Sequence, residues 1–303
     1  MPEDIEKQPL IAPYHSQGLL PRIKNILWAR RNQGDVNHIT GDIHYIALGL
    51  KKAKTILTIH DIGFIDHPNP AVRMMLKLFW LSLPIKRSAI TTVISESTKR
   101  HILRHVRCNP SKIVVIPNAI SRNWKRNDKP FNEAYPTLLH VGTKFNKNLE
   151  RTIQAVKGLK LHLKIIGKLT SEQETALQEC AIDYSSHFNI VEAELMRHYE
   201  TSDMLVFCST LEGFGLPIIE AQTVGRPVVT SNISAMPETA GEGACFVDPY
   251  DVNSIREGIL KVIRDKEYRE SLVEKGFANA KRFDPEVAAR QYYEVYKKAL
   301  KER

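Results

Sequence analysis

Short runs of β-branched and apolar residues alternate with amphipathic stretches along most of the chain. Four such runs fall before residue 120, and six more follow residue 136. Parallel strands joined by helical crossovers produce this alternation. We therefore predict two α/β domains, with strands at 35–40, 54–60, 89–95, 112–118, 137–143, 161–167, 189–193, 203–209, 226–232 and 244–249.

A polar segment interrupted by proline, "SRNWKRNDKPFNEAYP", separates the two series of strands and is typical of a linker. A chain of 303 residues also exceeds what one hydrophobic core usually supports. We predict an N-terminal domain over residues 1–125 and a C-terminal domain over residues 126–284. Asp284 before Pro285 forms a cap and first-residue pair, which predicts a final helix over residues 285–303.

Charge is distributed unevenly along the chain. The formal net charge is +9, with +12 carried by residues 1–130 and −3 by the remainder. A basic half indicates an anionic partner, either a lipid surface or nucleic acid, although solubility alone also accounts for it. The aromatic residues of this half form no base-stacking motif, so we expect no nucleic-acid partner.

Cysteine usage and the N-terminal sequence favour a cytoplasmic location. The four cysteines form no CxxC pair, which indicates neither a zinc ribbon nor a disulfide framework. The first residues lack the features of a secretory signal, and no stretch has the length of a membrane span. We expect a cytoplasmic protein, with peripheral attachment to the inner membrane face as an alternative.

One segment bears on that alternative. The sequence "AVRMMLKLFWLSLPIKRS", residues 71–88, places Arg73, Lys77, Lys86 and Arg87 among Met, Leu, Phe and Trp. A helix of this kind can lie on an anionic membrane. We favour the other interpretation, a helix whose apolar face is buried against the sheet.

The sequence "LEGFGLPIIEAQTVGRPVV" starts at Leu211 and contains a predicted helix with an unusual N-terminus. Pro217 suits the first helical position, yet Gly215 and Leu216 before it have no side chain that caps a helix. The N–H groups of Ile218 and of the next isoleucine therefore need an outside acceptor. Phosphate oxygens would serve, because a helix start attracts anions.

A second anion-binding feature is predicted in the same domain. The sequence "HVGTKFNKNLERTIQAV" is a strand, a glycine turn, a basic loop and a helix, and it places Lys144 and Lys147 at the carboxyl end of a strand. A diphosphate held without a metal needs such cations and N–H donors. Surface lysines are usually only solvated, but two loops of this type in one domain favour a phosphate-bearing ligand.

Common alternatives to this site are absent from the sequence. No complete G-x-G-x-x-G, P-loop, HExxH or DxD motif occurs, and the spacing of His38, Asp42, His44 and His60 matches no zinc motif. We expect no metal and no cofactor. Glu220, which we place in the first helical turn, does not form the close carboxylate pair of a glycosidase with Glu212. A simpler alternative makes Glu212 a loop anion and Glu220 a dipole partner, with water at the helix start.

On these residues the sequence resembles the retaining glycosyltransferase family 4. The E-x7-E signature corresponds to Glu212 and Glu220, and "VGTKFNKNLERTIQAV" is similar to the family's lysine loop. "TILTIHDIGF" and "KIVVIPNAI" also resemble family segments, so His60 matches a histidine that lines the sugar pocket. The family's amino-terminal strand and glycine-rich loop are not recognisable, which indicates a shortened first domain, and an arginine usually found before the lysine is replaced here by the Thr143–Asn146 stretch.

The resemblance implies the GT-B fold: two facing Rossmann-like α/β domains with parallel sheets, the first shortened, and a C-terminal helix packing back on the first. It implies that Glu220 holds the ribose, that Lys147 and the Pro217 helix start bind the diphosphate, and that Glu212 faces the sugar. No metal is needed, and the departing phosphate helps deprotonate the acceptor. The implied catalytic residues are His60 and Glu212; the implied donor-binding residues are Gly142, Lys144, Lys147, Phe214, Gly215, Leu216, Ile218 and Glu220.

The function that the resemblance implies is transfer of a sugar, with retention, from a nucleotide-sugar donor to a hydroxyl acceptor. We expect the acceptor to be a surface polysaccharide or a lipid-linked glycan, and the membrane interpretation above would fit it. Two alternatives remain open. One is a non-catalytic or half-active nucleotide-sugar-binding subunit whose first domain is completed by a partner chain, and the other is a nucleotide-sugar epimerase.

Overall fold

The computed structural model describes residues 5–301. The chain forms two compact units with boundaries Met1–Pro117 together with Glu286–Arg303 for unit 1, and Asn118–Pro285 for unit 2. The strands, numbered in chain order, are β1 (Asn37–Ile39), β2 (Thr55–Ile59), β3 (Ile90–Val93), β4 (Ile113–Val115), β5 (Thr137–Val141), β6 (His162–Ile166), β7 (Asp183–His187), β8 (Met204–Phe207), β9 (Val228–Ser231) and β10 (Cys245–Val247).

The α-helices surround these strands in both units. They are α1 (Leu19–Arg31), α2 (Pro70–Leu76), α3 (Leu83–Arg87), α4 (Glu96–His105), α5 (Leu149–Val156), α6 (Ser171–Glu179), α7 (Glu192–Thr201), α8 (Leu216–Val224), α9 (Met236–Ala240), α10 (Val252–Arg264), α11 (Lys266–Ala280) and α12 (Pro285–Lys301). The alternation of strands and helices is that of an α/β protein, as predicted.

Unit 1 contains a parallel sheet with the strand order β1-β2-β3-β4. Its four strands lie where the sequence predicts them. Successive side chains of a strand face opposite sides of the sheet. Accordingly Leu57 and Ile59 belong to one buried cluster, while Ile56 belongs to another that includes Val295 and Ala299 of α12. The prediction that the C-terminal helix returns to the first domain is confirmed.

Unit 2 contains a six-stranded sheet in the order β10-β9-β8-β5-β6-β7, with parallel pairing throughout. The chain runs from β5 outward to β7 and then returns to the other side of β5 to form β8. The connections therefore reverse direction between β5 and β8. In open α/β sheets, ligands bind at the carboxyl ends of the strands at such a reversal.

One predicted strand is wrong. Residues 189–193 form no strand, and the edge strand is instead β7, whose sequence is DYSSH. Asn189 has a left-handed φ of 55°, which breaks an extended chain, and Glu192 and Glu194 favour the first turn of α7. β7 has a neighbour on one side only, so its polar side chains remain in contact with solvent.

The polar segment between the two predicted domains is packed against unit 2. It has no regular secondary structure, as expected for a linker, yet Trp124 is buried and meets Tyr199 edge to face at 5.1 Å. The Arg226 guanidinium donates hydrogen bonds to the carbonyls of Asn127 and Lys129, each at 3.1 Å. The predicted division at 125/126 therefore falls inside unit 2.

The basic and apolar segment at 71–88 is divided between surface and core. It consists of α2, a π-helical turn over Lys77–Ser82, and α3. In its second half Leu81 and Ile85 are fully inaccessible, whereas Met74 and Phe79 in the first half are 71% and 39% exposed. Among the residues that the structure describes, no helix has both the length and the apolar character needed to cross a bilayer.

Candidate active site

The two loops singled out in the sequence meet in unit 2 at the carboxyl ends of β5 and β8. Lys147 follows β5 and Glu212 follows β8, and Lys147 Nζ lies 2.6 Å from Glu212 Oε1. Asn146 joins the loops a second time, because its Nδ2 donates to the Leu211 carbonyl at 2.9 Å and its own carbonyl accepts from the Thr210 N–H at 2.8 Å. A cation and a carboxylate are thus fixed together at the sheet's reversal point.

The Lys147 side chain runs over a glycine and an aromatic ring. Gly142 has a φ of +95°, and a Cβ atom built there would lie 2.8 Å from Lys147 Cγ. The Lys147 ammonium is 4.8 Å from the centroid of the Phe207 ring, close enough for a cation–π contact. The side chains of Lys147 and Glu212 are only 20% and 13% exposed. The absence of a side chain at Gly142 is therefore what leaves room for Lys147.

A buried histidine lies on β5 near this lysine. His140 is fully buried, and burial, with a smaller contribution from the Lys147 charge, lowers its pKa to about 4. The imidazole is therefore neutral at physiological pH. At that pH His140 therefore adds no positive charge beside Lys147.

Asn148 anchors the lysine loop to the rest of the sheet. Its backbone is left-handed, with φ 62°, a conformation that asparagine tolerates better than most residues. Its side-chain Nδ2 donates to the Cys208 carbonyl at 2.9 Å and to the Pro249 carbonyl at 2.7 Å, and Arg151 Nη1 donates to its Oδ1 at 2.8 Å. One buried amide thus connects the residues that follow β5, β8 and β10.

The helix after β8 begins without a side-chain cap, as predicted. It starts one residue earlier than expected, at Leu216, and Gly215 precedes it with a φ of 102°. The expectation that the Ile218 N–H needs an outside acceptor is wrong, because this group donates to the Gly215 carbonyl at 3.0 Å. A tightened first turn of this kind satisfies one donor locally. In the described part of the chain, the cap position of this helix makes no side-chain hydrogen bond.

The residues around this helix start divide between interior and surface. The Phe214 side chain is 4% exposed and meets Phe283 edge to face at 5.4 Å, while its carbonyl accepts a hydrogen bond from Thr239 Oγ1 at 2.6 Å. The side chain of Ile218 is fully buried, and that of Leu216 is 38% exposed. Of these three side chains, only that of Leu216 is exposed.

Ser234 fixes the backbone of Glu212. The Glu212 N–H donates to Ser234 Oγ at 3.1 Å, and the Ser234 hydroxyl lies 2.9 Å from the Glu212 carbonyl oxygen. Sequence reasoning did not identify Ser234, since a serine 22 positions further along the chain has no local signature.

Glu220 is held by a tyrosine of the preceding helix. It is the fifth residue of α8 rather than part of its first turn, and it is partly exposed. Tyr199 Oη donates to Glu220 Oε2 at 2.6 Å. Burial raises the pKa of Glu220 to about 7, although the hydrogen bond from Tyr199 and the charge of Lys147 oppose that increase. Tyr199 was not predicted, because a tyrosine in an amphipathic helix is indistinguishable from a core residue.

Two further predicted residues, Lys144 and His60, have exposed side chains. Lys144 is exposed, and its carbonyl accepts the Lys147 N–H at 2.7 Å. His60 belongs to unit 1, where it follows β2; it is exposed, and its Nε2 lies 3.1 Å from the Thr40 carbonyl oxygen. The structure therefore brings Gly142, Lys147, Glu212 and the helix start together within unit 2.

A cation beside an uncapped helix start, at the reversal point of a parallel sheet, is typical of α/β proteins that bind phosphorylated ligands. Family comparison gives this class a name. The model of glycosyl transferases group 1 matches residues 121–278, and that of Glycosyltransferase Family 4 matches residues 3–124. The chain belongs to the glycosyl transferases group 1, which makes it a glycosyltransferase, in agreement with the resemblance found in its sequence.

Curated relatives include polysaccharide enzymes. The O-antigen chain mannosyltransferase B of Escherichia coli is 29% identical over 97% of this chain and 81% of its own length. RfbU, an O-antigen chain mannosyltransferase of Salmonella typhimurium, is 24% identical over 68% of this chain, and CapM, a capsular polysaccharide biosynthesis glycosyltransferase of Staphylococcus aureus, is 29% identical over 69%. The matches span only 60% and 61% of the lengths of RfbU and CapM.

Solved structures share the fold. A sucrose-phosphate synthase from Thermosynechococcus elongatus superposes with a TM-score of 0.79 at 17% identity, covering 93% of this chain and 79% of its own. HepE from Anabaena, solved with UDP and glucose, gives a TM-score of 0.76 at 16% identity, covering 94% and 84%. A glycosyltransferase from Rickettsia africae gives 0.75 at 19% identity, covering 99% and 85%. These neighbours confirm the GT-B fold class.

Proposed function

We propose that this protein is a retaining glycosyltransferase that moves a sugar from a nucleotide-sugar donor to a hydroxyl of a surface polysaccharide or lipid-linked glycan. The observation that carries the proposal is the Lys147–Glu212 pair at the reversal point between β5 and β8, beside the uncapped start of α8. The names of the E. coli and Salmonella relatives make mannose the first sugar to test.

Unit 2 would hold the nucleotide part of the donor. Lys147 and the N–H groups at the start of α8 would bind the diphosphate, because an ammonium group and a helix start both stabilise negative charge. Glu220 would accept hydrogen bonds from the ribose hydroxyls. Glu212, Leu216 and the backbone at Gly215 would face the sugar. The 2.6 Å pair means that the diphosphate would share the Lys147 ammonium with Glu212.

The reaction would need charge stabilisation rather than a protein nucleophile. The bond between the sugar's anomeric carbon and the diphosphate oxygen breaks, and its electron pair stays on the diphosphate. The acceptor oxygen forms its bond to the anomeric carbon on the face from which the diphosphate departs. The proton of the acceptor hydroxyl goes to the departing phosphate oxygen. Lys147 and the α8 start would lower the barrier by stabilising the charge that builds up on the leaving group.

The test is donor binding and transfer with GDP-, UDP- and ADP-sugars. In a thermal-shift screen the cognate donor raises the melting temperature of the wild type by mass action. Lys147→Ala and Glu220→Ala should each remove most of this shift. Lys160→Ala is the matched control. Lys160 is an exposed lysine of the same unit that precedes β6, so it lies at the amino end of a strand rather than at the carboxyl ends. Equal shifts in all four proteins would refute the site.

Transfer assays separate the alternatives. Release of nucleotide that depends on an added acceptor supports the transferase, and turnover without any acceptor would indicate the epimerase. Donor binding without turnover would favour the binding subunit, and copurification of a second chain would identify its partner. His60→Ala should lower the transfer rate while leaving donor binding unchanged, because His60 is proposed to act on the sugar and lies outside unit 2.

We also propose that no metal or cofactor takes part. Lys147 and the start of α8 provide the positive charge that a divalent cation otherwise gives to a diphosphate. Transfer should therefore proceed at the same rate after dialysis against EDTA. A rate that falls with EDTA and recovers with Mg²⁺ or Mn²⁺ would contradict this part of the proposal.

The acceptor side is proposed to work at an anionic membrane from the cytoplasm. The four cysteines are free thiols, which suits a reducing compartment. Apolar side chains at the start of the 71–88 segment are exposed beside basic ones: Arg73, Met74, Met75, Lys77, Leu78 and Phe79. The protein should float with vesicles that contain an acidic lipid and not with neutral ones. Indifference to lipid charge would remove the membrane from the proposal.

A further inference from the structure

We propose that Tyr199 is a positioning residue for Glu220, and that this pair sets the pH range in which the chain binds the nucleotide part of its donor. The inference rests on the proposed function, in which Glu220 accepts hydrogen bonds from the ribose. It adds a residue on a different helix and a regulation by protons to that site.

The geometry of the pair defines the orientation of the carboxylate. Tyr199 lies on α7, is fully inaccessible, and donates its phenolic hydrogen to Glu220 Oε2 at 2.6 Å. Within residues 5–301, the other carboxylate oxygen, Oε1, has no protein hydrogen-bond donor. Glu220 is partly exposed, so this oxygen remains available to a ligand. A carboxylate with one oxygen occupied by a rigid donor presents the second in a fixed direction.

Tyr199 itself is held on two sides. Its ring meets Trp124 edge to face at 5.1 Å, and its carbonyl accepts a hydrogen bond from Arg226 Nε at 3.2 Å. Arg226 also donates to the Glu200 carbonyl at 3.0 Å, which secures the end of α7. These contacts therefore fix the position of the Tyr199 phenol.

The charges that face Glu220 come from each neighbouring element. Burial is the largest effect and raises the pKa of Glu220 to about 7. The negative charge of Glu192, at the start of α7, also raises this pKa. The hydrogen bond from Tyr199 on α7 and the positive charge of Lys147 in the β5–α5 loop lower it. Only the ionised carboxylate accepts hydrogen bonds from both ribose hydroxyls. Below the pKa of Glu220, which we call the midpoint, affinity for the nucleotide should then fall tenfold per pH unit, since one proton competes with the ligand.

Tyr199→Phe tests the positioning role. The phenol stabilises the ionised form of Glu220, so its removal should move the midpoint of nucleotide affinity upward by about one pH unit, a typical effect of one strong hydrogen bond. Affinity should approach that of the wild type again at pH 9. The measurement is the Kd of the nucleoside diphosphate that stabilises the wild type, taken by calorimetry between pH 5.5 and 9.

Matched controls separate this effect from structural damage. Tyr184→Phe removes a hydroxyl from β7 in the same unit, away from Glu220, and should leave the midpoint unchanged. Glu220→Gln should bind weakly at every pH and keep only the pH dependence that comes from the ligand's own phosphate. If Tyr199→Phe lowers affinity equally at every pH, or leaves the midpoint in place, the positioning role is refuted.

The ligand distinguishes failure of this inference from failure of the proposed function. A 2′,3′-dideoxynucleoside diphosphate lacks both ribose hydroxyls but keeps the titrating phosphate, so its affinity should lack only the part of the pH dependence that Glu220 causes. If it shows the same pH profile as the parent nucleotide, Glu220 does not contact the ribose and the proposed function loses that assignment. A carbon-13 NMR titration of Tyr199 in the wild type, which needs no variant to fold, should show the same midpoint as nucleotide affinity. A different midpoint would refute the claim that Glu220 and Tyr199 set the pH range of nucleotide binding.

Discussion

The close approach of Lys147 to Gly142 predicts that the substitution Gly142→Ala weakens donor binding. A Cβ atom at Gly142 would lie 2.8 Å from Lys147 Cγ and 2.9 Å from Cε, so Gly142→Ala must displace the lysine stem. The displaced ammonium would leave its position 2.6 Å from Glu212. We therefore expect donor affinity to suffer, although alanine brings no charge and no polar group.

The magnitude has two parts. A residue other than glycine at a φ of +95° costs about 1–2 kcal/mol in backbone strain. Displacing the Lys147 stem adds about 1–3 kcal/mol of steric cost. The displaced lysine also loses a charged hydrogen bond, and this loss of about 1.5–3 kcal/mol appears as an approximately 10- to 150-fold increase in the donor Kd.

Gly158 provides a matched control. Its φ is +73°, and an added Cβ would meet nothing within 4 Å. Gly158→Ala therefore introduces similar backbone strain without a steric conflict. Urea unfolding measures the stability of both variants, and calorimetry with the donor measures affinity. Gly142→Ala should be the less stable variant and should bind the donor more weakly, whereas Gly158→Ala should bind it as the wild type does. Equal affinity in the two variants would refute the role of this glycine in placing Lys147.

Three other substitutions test the scaffold. Asn148→Ala removes three hydrogen bonds and strains a left-handed backbone, so urea unfolding should show a loss of about 2–4 kcal/mol; a loss below 1 kcal/mol would contradict the anchoring role. Arg226→Met removes the guanidinium hydrogen bonds to the carbonyls of Tyr199, Asn127 and Lys129 and should cost about 2–4 kcal/mol, whereas an unchanged unfolding midpoint would argue against it. The folded-state pKa of His140, about 4, lies below its ordinary value of 6.5, so the unfolded chain takes up a proton first and stability falls as the pH drops from 6.5 to 4. His140→Leu should remove about 3 kcal/mol of that pH dependence, and identical pH profiles would refute it.

The sequence predicted the elements that carry strong local patterns. Buried parallel strands such as β2, β3 and β8 are continuous β-branched or apolar runs, and each was placed correctly. The loops that follow β5 and β8 were also found, because glycine, lysine and proline at the end of a strand indicate a tight turn into a helix. The edge strand β7 was missed, since DYSSH has neither an apolar run nor a clear alternation.

What the sequence left undetermined depends on contacts between distant residues. The order β8-β5 is a property of the whole sheet, so the 2.6 Å approach of Lys147 and Glu212 required the structure. Tyr199 and Glu220 are 21 residues apart on different helices, and no periodicity connects them. The local bond of the Ile218 N–H depended on how tightly the first turn of α8 closes, which residue types alone do not fix.

The return of α12 to unit 1 has a consequence for biosynthesis. Val295 and Ala299 cover Ile56, Ile90 and Ile116 on one face of the first sheet, so that face stays open until the last helix has left the ribosome. Unit 2 is one continuous stretch of chain and is complete before then. Because α12 follows unit 2 in the chain, the face of the first sheet that α12 covers is completed only after all of unit 2 has been synthesised.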